Sequence, residues 1–201
     1  MPSFYGEDEY DLAGFAVGVV EKNRIIDGSK IKPGDRLIGL ASSGLHSNGY
    51  SLVRKVLLEA SGHSVNDVLP ELGKPLGDVL LTPTRIYAKT AMSLIKEFDI
   101  RGMAHITGGG ITENTPRMLP KGAQALIRKG TWDIHPIFQL IQKKAAVDDD
   151  EMYRDFNMGL GMILVVPARQ ADVVMKRAKR LGEKAYHIGE IVKGKQIVKY
   201  S

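Results

Sequence analysis

The spacing of apolar residues along this chain predicts helices in three places. In each place, apolar side chains recur every three or four residues, so they share one face of a helix and are predicted to pack in the core. The three stretches are residues 87–98, 136–141 and 171–181. Pro136 can begin the second helix because the first helical residue needs no N–H donor. Gly182 is suited to end the third.

Short apolar runs between these helices predict strands. The clearest are Leu37–Leu40, Ala104–Ile106 and Gly161–Val166, and the last is apolar throughout, as expected of a central strand covered on both faces. Further strands are predicted at residues 122–128, 185–192 and 196–200, and another from about Leu12 to Glu21. Strands interleaved with helices favour an α/β (α+β layered) fold, in which a mixed β-sheet is flanked by helices.

Three adjacent glycines follow the predicted strand at residues 104–106. Gly108, Gly109 and Gly110 can adopt positive φ and leave space for a ligand beside the backbone, and a helix is predicted to begin just after them, near Thr112. Such a turn can hold a phosphate through backbone N–H groups, with Thr107 and Asn114 as side-chain donors. The alternative is a tight turn without a ligand. The spacing matches neither a P-loop nor a dinucleotide-binding motif.

A second polar loop follows the predicted strand at residues 37–40. It contains Ser43, His46, Ser47 and Asn48, and an amphipathic stretch follows it. His46 is the candidate catalytic residue because an imidazole can exchange a proton near neutral pH, although a lone histidine is often a structural hydrogen-bonding residue. Ser47 or Asn48 can bind substrate or can cap the next helix.

Together the two loops resemble two motifs of the phosphoribosylformylglycinamidine cyclo-ligases, the aminoimidazole ribonucleotide synthetases of purine biosynthesis. The motifs are SSGLHSNGYSLVR at residues 42–54 and TGGGITENTPR at residues 107–117. The resemblance continues in LTPTRIY at 81–87, in EMYRDFNMGLGM at 151–162 and at residues 1–5, and it covers essentially the whole chain.

The resemblance implies a function and a domain organisation. The implied reaction is the ATP-dependent closure of formylglycinamidine ribonucleotide to aminoimidazole ribonucleotide, with ATP and Mg²⁺ bound mainly by an N-terminal domain whose Asp-Gly-Val-Gly-Thr-Lys type motif is absent from this sequence. Residues 1–26 are then expected to be a remnant of that domain, and residues 27–201 a C-terminal α/β domain of the aminoimidazole ribonucleotide synthetase superfamily.

The resemblance also implies site residues and partners. The two loops are expected to bind the substrate through Ser43, Ser47, Asn48, Thr107, Gly108, Gly109, Gly110 and Asn114, with Arg85 and Asn157 in the same cleft. A homodimer is expected, and this chain alone is expected to be inactive and to self-associate through the apolar segment at residues 15–20. The alternatives are another ATP-dependent phosphorylating enzyme of the superfamily, or a non-catalytic module for anion binding or dimerisation.

Composition narrows the classes of function. The chain has 201 residues and no cysteine, which excludes disulfides, thiolate catalysis and sulfur-ligated metals. Its net charge of +5 suits anionic ligands, but the basic residues are scattered and aromatic residues are few, so no nucleic-acid partner is expected. No membrane span or signal sequence is evident, so a cytoplasmic location is expected. The acidic run at residues 148–151 is interpreted as a helix start and not as a metal site.

Overall fold

The protein is described by a computed structural model that covers residues 14–201. Six strands and seven α-helices are found in this range. In chain order they are β1 (Arg36–Ala41), α1 (Tyr50–Val53), α2 (Leu76–Leu80), α3 (Ala88–Glu97), β2 (Gly102–His105), α4 (Gly110–Asn114), β3 (Ala123–Ile127), α5 (Pro136–Ala145), α6 (Asp149–Asp155), β4 (Leu160–Val166), α7 (Ala171–Arg180), β5 (Ala185–Lys193) and β6 (Val198–Tyr200). A π-helical segment at Arg54–Ala60 continues α1, and a 3₁₀ turn at Thr115–Met118 continues α4.

The six strands form one mixed sheet in the order β2-β4-β1-β5-β3-β6. Neighbouring strands are antiparallel, apart from the parallel pair β3 and β6. Since β1 and β2 both run antiparallel to β4, which lies between them, they run in the same direction. Their carboxyl ends therefore reach the same end of the sheet, where β4 begins.

Helices cover both faces of the sheet, because successive residues of a strand point to opposite sides. Leu37 of β1 belongs to a large apolar cluster with residues of α1, α4, α5 and α6. The next residue, Ile38, belongs to a second cluster with residues of α3 and α7. β4 contributes to both clusters, as predicted for a strand covered on both faces. The predicted fold class, a mixed sheet flanked by helices, is confirmed.

The predicted strand from Leu12 to Glu21 is wrong for its described residues. Residues 14–21 have no regular secondary structure, and the side chains of Phe15, Val17 and Val19 are 95%, 86% and 101% exposed. A strand needs hydrogen-bonding neighbours, and no strand in residues 14–201 pairs with this segment. Leu12 and Ala13 lie outside the described residues, as does the extended segment expected at residues 1–11.

The acidic run at residues 148–151 begins a helix, as predicted. Asp148 precedes α6, and its side chain accepts the Glu151 N–H at 2.9 Å, as an N-cap does. Within residues 14–201, no group of three or more His, Asp or Glu side chains is arranged to hold a metal ion. The helices of the same range are all too short or too polar to cross a bilayer.

Candidate functional site at one end of the sheet

The two motif loops meet where β4 begins. The loop after β1 is fixed by the Ser42 N–H, which donates to the Gly159 carbonyl at 2.8 Å. The loop after β2 is fixed in the same way by the Ile106 N–H, which donates to the Gly161 carbonyl at 2.9 Å. The two anchors are two residues apart on the chain that leads into β4, so the loops lie side by side.

The three glycines of the second loop have different environments. Gly109 has a φ of 96° and precedes α4, while Gly110 is buried, and a Cβ there would lie 2.3 Å from the Tyr153 carbonyl oxygen. Gly110 therefore allows α4 to pack against α6. Gly108 is exposed, and no atom lies within 4 Å of the position that its Cβ would occupy.

The backbone of the glycine loop still presents free donors. The Gly110 N–H donates to the Thr107 carbonyl at 3.0 Å and is therefore used within the turn. The N–H groups of Gly108 and Gly109 have no hydrogen-bond partner within residues 14–201. An anion could therefore be held by two of the three predicted backbone donors.

Asn114 organises the glycine loop through hydrogen bonds within it. Its side-chain amide donates to the carbonyl oxygens of Thr107, Gly108 and Gly110 at 3.2, 3.1 and 2.8 Å. Its Oδ1 accepts the Thr107 hydroxyl at 3.1 Å. The predicted roles of Asn114 and of the Thr107 hydroxyl as donors to a phosphate are therefore corrected, because both groups are used to hold the turn.

Asn157 has a similar role beneath the first loop. Its side chain is fully buried, and its amide donates to the carbonyl oxygens of Gly44 and Leu45 at 2.9 and 3.1 Å. Its Oδ1 accepts the Ser42 hydroxyl and the Gly159 N–H, both at 2.9 Å. The structure thus places Asn157 next to the loops, as expected, but with no hydrogen-bonding capacity left for a substrate.

His46 is buried inside the first loop. Its Nε2 accepts the backbone N–H groups of Ser43 at 3.1 Å and Arg85 at 3.4 Å, so the neutral ring carries its proton on Nδ1. Burial is the main cause that lowers the pKa of His46 to about 4, and electrostatic interactions with His105, His135 and Arg85 contribute to the same shift. This environment argues against the predicted catalytic role, since the nitrogen that would accept a proton is already occupied.

We expect His46 to remain neutral down to about pH 5 and to destabilise the fold at lower pH. Because its folded pKa of about 4 lies below its ordinary value of 6.5, the unfolded chain takes up the proton first. The stability linked to His46 is therefore complete above pH 6.5 and is lost as the pH falls towards 4. NMR titration of the imidazole signals measures this. A His46 signal that titrates near pH 6.5 would contradict the burial argument. As a control, His105→Gln removes the signal of an exposed imidazole from the spectrum.

The other predicted binding side chains do not converge on one cleft. Arg85 points away from the loops, where its Nε donates to Glu183 at 2.6 Å and its Nη2 to the Gly182 carbonyl at 2.8 Å. The Ser43 hydroxyl donates to the Pro83 carbonyl at 2.6 Å.

The N-cap of α1 is Gly49, so the alternative that Ser47 or Asn48 caps this helix is wrong. Ser47 is exposed near Thr84, and Asn48 is buried with its amide 3.5 Å from the Ile106 carbonyl.

A cleft of about 320 Å³ lies on the outer side of β2, beside the glycine loop. Thr107 and Asn114 line it together with His105, Arg117 and Asp27. None of these last three residues was assigned a role from the sequence. His105 lies two residues before the TGGGITENTPR motif and Arg117 is its last residue, so their closeness to the motif was the available signal. Asp27 is far away in sequence, and only the fold brings it to this cleft.

Comparison with known proteins assigns the chain to a family. The family described as "AIR synthase related protein, C-terminal domain" matches residues 32–200. A relative named phosphoribosylformylglycinamidine cyclo-ligase, from Citrifermentans bemidjiense, is 56% identical over 201 residues, which cover 98% of this chain and 58% of the relative. This chain thus spans less than two thirds of the curated relatives that it matches.

Solved structures share the fold at low sequence identity. The thiamine-monophosphate kinase of Stenotrophomonas maltophilia K279a matches with a TM-score of 0.60 and 17% identity, over 90% of this chain and 54% of that one. A hydrogenase maturation protein, HypE in complex with ATP, matches with a TM-score of 0.53 and 17% identity, over 83% of this chain and 44% of that one. These likenesses agree with the family match, and the chain belongs to the AIR synthase related proteins, of which it contains the C-terminal domain.

Proposed function

We propose that this chain supplies the substrate-binding domain of a phosphoribosylformylglycinamidine cyclo-ligase. The full enzyme would convert formylglycinamidine ribonucleotide and ATP into aminoimidazole ribonucleotide, ADP and phosphate. The name of the 56% identical relative supports this activity. In the structure, the observation that supports it best is the exposed glycine loop, where Gly108 presents backbone to solvent beside a polar cleft.

The proposed chemistry needs positioning more than a protein nucleophile. The formyl oxygen of the substrate attacks the γ-phosphorus of ATP, ADP leaves, and an imidoyl phosphate forms. The amidine nitrogen that bears the ribose then attacks the same carbon, the ring closes and phosphate leaves. Since both attacking atoms belong to the substrate, the protein can act by holding the substrate in place and neutralising its charge.

Within this scheme, the glycine loop is proposed to bind the substrate phosphate. The N–H groups of Gly108 and Gly109 are the donors, and Asn114 fixes the turn by accepting and donating within it. The first loop is proposed to contribute Ser47, which is exposed, while Asn157 and His46 hold that loop in shape. His46 is thus a positioning residue in this proposal and not the catalytic residue expected from the sequence.

We propose binding of ATP and Mg²⁺, and formation of a homodimer, for the longer protein. A related fold was solved in complex with ATP, which supports ATP as the second substrate. We assign Mg²⁺ binding to the N-terminal domain, together with the ATP-binding motif that this sequence lacks. We assign residues 1–26 to the end of that domain. The exposed side chains of Phe15, Val17 and Val19 support self-association of this chain through that segment.

Gly108→Val tests the phosphate assignment. The φ of Gly108 lies outside the left-handed region and its Cβ position is open, so the fold should accept the change. A bulky side chain at the donor should weaken binding of formylglycinamidine ribonucleotide roughly tenfold or more, the equivalent of about one strong hydrogen bond to an anion. Calorimetry measures the affinity, and Gly14→Val, at another glycine with open space around it, is the matched control. Equal affinity in the two variants would overturn the assignment, provided that thermal melts show both proteins folded.

A further inference from the structure

We infer that the cleft beside β2 binds a sugar phosphate, with Arg117 holding the phosphate and Asp27 accepting hydrogen bonds from the sugar hydroxyls. This inference rests on the proposed function and deepens it, because it adds two side chains and an orientation to the glycine loop. It is carried by the charges that line the cleft, by their lack of ion-pair partners within residues 14–201, and by the packing that fixes their positions.

Arg117 is a cation available to a ligand. It follows α4 in the 3₁₀ turn, its side chain is exposed, and it lines the same cleft as Thr107. Within residues 14–201 it forms no ion pair and no side-chain hydrogen bond. In this respect it differs from several other arginines of the chain, which pair with carboxylates: Arg36, Arg85, Arg101, Arg128, Arg154 and Arg177. A guanidinium without a carboxylate partner can bind phosphate through two parallel N–H donors.

Asp27 provides a hydrogen-bond acceptor in the same cleft. Its Oδ1 accepts the Ser29 N–H at 2.9 Å, and hydrogen bonds with Ser29 lower the pKa of Asp27, so it is ionised at neutral pH. Its carboxylate forms no ion pair with Lys or Arg within residues 14–201. A carboxylate repels a phosphate but accepts hydrogen bonds from hydroxyl groups. Asp27 therefore favours a ligand whose hydroxyls lie beside it.

Close packing fixes the two charged residues relative to each other. Gly28, next to Asp27, has a φ of 82°, and a Cβ on it would lie 1.9 Å from the carbonyl oxygen of Met118, next to Arg117. The two backbones are thus in direct contact. Nevertheless, Arg117 and Asp27 form no ion pair with each other, so both charged groups remain available to a ligand. The volume of about 320 Å³ lies in the range of small-molecule sites.

The opposite charges set the orientation of the ligand. The phosphate is placed beside Arg117, which lines the cleft together with Thr107, and the ribose hydroxyls point towards Asp27. The cleft should therefore prefer ribose 5-phosphate to inorganic phosphate, because the sugar adds the contact with Asp27.

Two substitutions separate the two contacts. Arg117→Gln should weaken the binding of both ribose 5-phosphate and inorganic phosphate at least tenfold. Asp27→Asn should weaken ribose 5-phosphate several-fold and leave inorganic phosphate unchanged or slightly tighter, since a repulsive charge is removed. The amide oxygen that this substitution introduces can still accept the Ser29 N–H, so the turn is kept. Lys121→Gln removes one charge from an exposed residue outside the cleft and is the control for net charge.

Calorimetry of the wild-type chain and these variants with both probes decides the inference. It is overturned if the wild-type chain binds neither probe, if Arg117→Gln matches Lys121→Gln, or if Asp27→Asn affects both probes equally. Arg117→Lys keeps the charge and should retain part of the affinity, and thermal melts establish that every variant is folded. If Gly108→Val weakens the binding of formylglycinamidine ribonucleotide while Arg117→Gln has no effect, the glycine-loop assignment stands and this inference fails.

Discussion

Asn157→Ala is expected to lower the free energy of unfolding by about 4 kcal/mol or more, the largest effect foreseen for a single polar side chain in this chain. The substitution removes four hydrogen bonds from a fully buried position. It leaves the carbonyl oxygens of Gly44 and Leu45 and the Gly159 N–H without this partner, and each buried group left unpaired costs about 1–3 kcal/mol.

Urea unfolding of Asn157→Ala measures this loss. Ser47→Ala is the control, because Ser47 is exposed and its hydroxyl has one long contact, 3.4 Å from the Thr84 hydroxyl. The control should change stability by at most about 0.5 kcal/mol. A loss below about 1 kcal/mol for Asn157→Ala would show that the first loop does not depend on this side chain, and would return Asn157 to the list of candidate substrate ligands.

The second large effect is expected for Arg101→Met, at about 3–5 kcal/mol. The Nη1 of Arg101 lies 2.8 and 3.0 Å from the two carboxylate oxygens of Asp35, whose side chain is 3% exposed. Removing the arginine leaves a buried carboxylate without its counter-ion, which is more costly than the ion pair is stabilising. The Arg101 backbone N–H also donates to the Val165 carbonyl of β4, just before β2 begins. The ion pair of Arg101 with Asp35 therefore holds the start of β2.

A double variant distinguishes the cost of the unpaired charge from lost packing. Arg101→Met with Asp35→Leu should recover much of the stability, because no buried charge is then left alone. Arg154→Met removes an exposed arginine that pairs with Glu151 and Glu113, and should cost at most about 1 kcal/mol. Equal losses for Arg101→Met and Arg154→Met in chemical denaturation would contradict the account of a buried pair.

Much of the fold was predictable because hydrophobic spacing reports which face of an element is buried. The helices now labelled α3, α5 and α7 and the apolar strand β4 were each predicted from such spacing. Strand pairing was less accessible, because it depends on neighbours distant in sequence. The segment at residues 14–21 shows this limit: its apolar pattern suits a strand, but a strand also needs a partner, and none is present in residues 14–201.

The family resemblance predicted that the two polar loops lie close together, whereas the roles of their side chains were not predictable. Both loops follow strands whose carboxyl ends reach the same end of the sheet, and this depends on a strand order that only the fold supplies. Whether an amide faces a ligand or holds a turn depends on the distances to carbonyl oxygens. Asn114 and Asn157 resemble binding residues in sequence, yet the structure uses their amides inside the loops. Asp27 was missed because no local pattern links it to Arg117.

The most direct test of the central claim, that the glycine loop binds the substrate phosphate, is an NMR titration of the ¹⁵N-labelled chain with formylglycinamidine ribonucleotide. Because the N–H groups of Gly108 and Gly109 have no partner within residues 14–201, hydrogen bonding to a phosphate should shift both signals strongly and saturably. The Gly110 N–H, already bonded to the Thr107 carbonyl, should shift less. The account predicts that the shifts centre on Gly108 and Gly109. Saturable binding that leaves these two signals unchanged would contradict it.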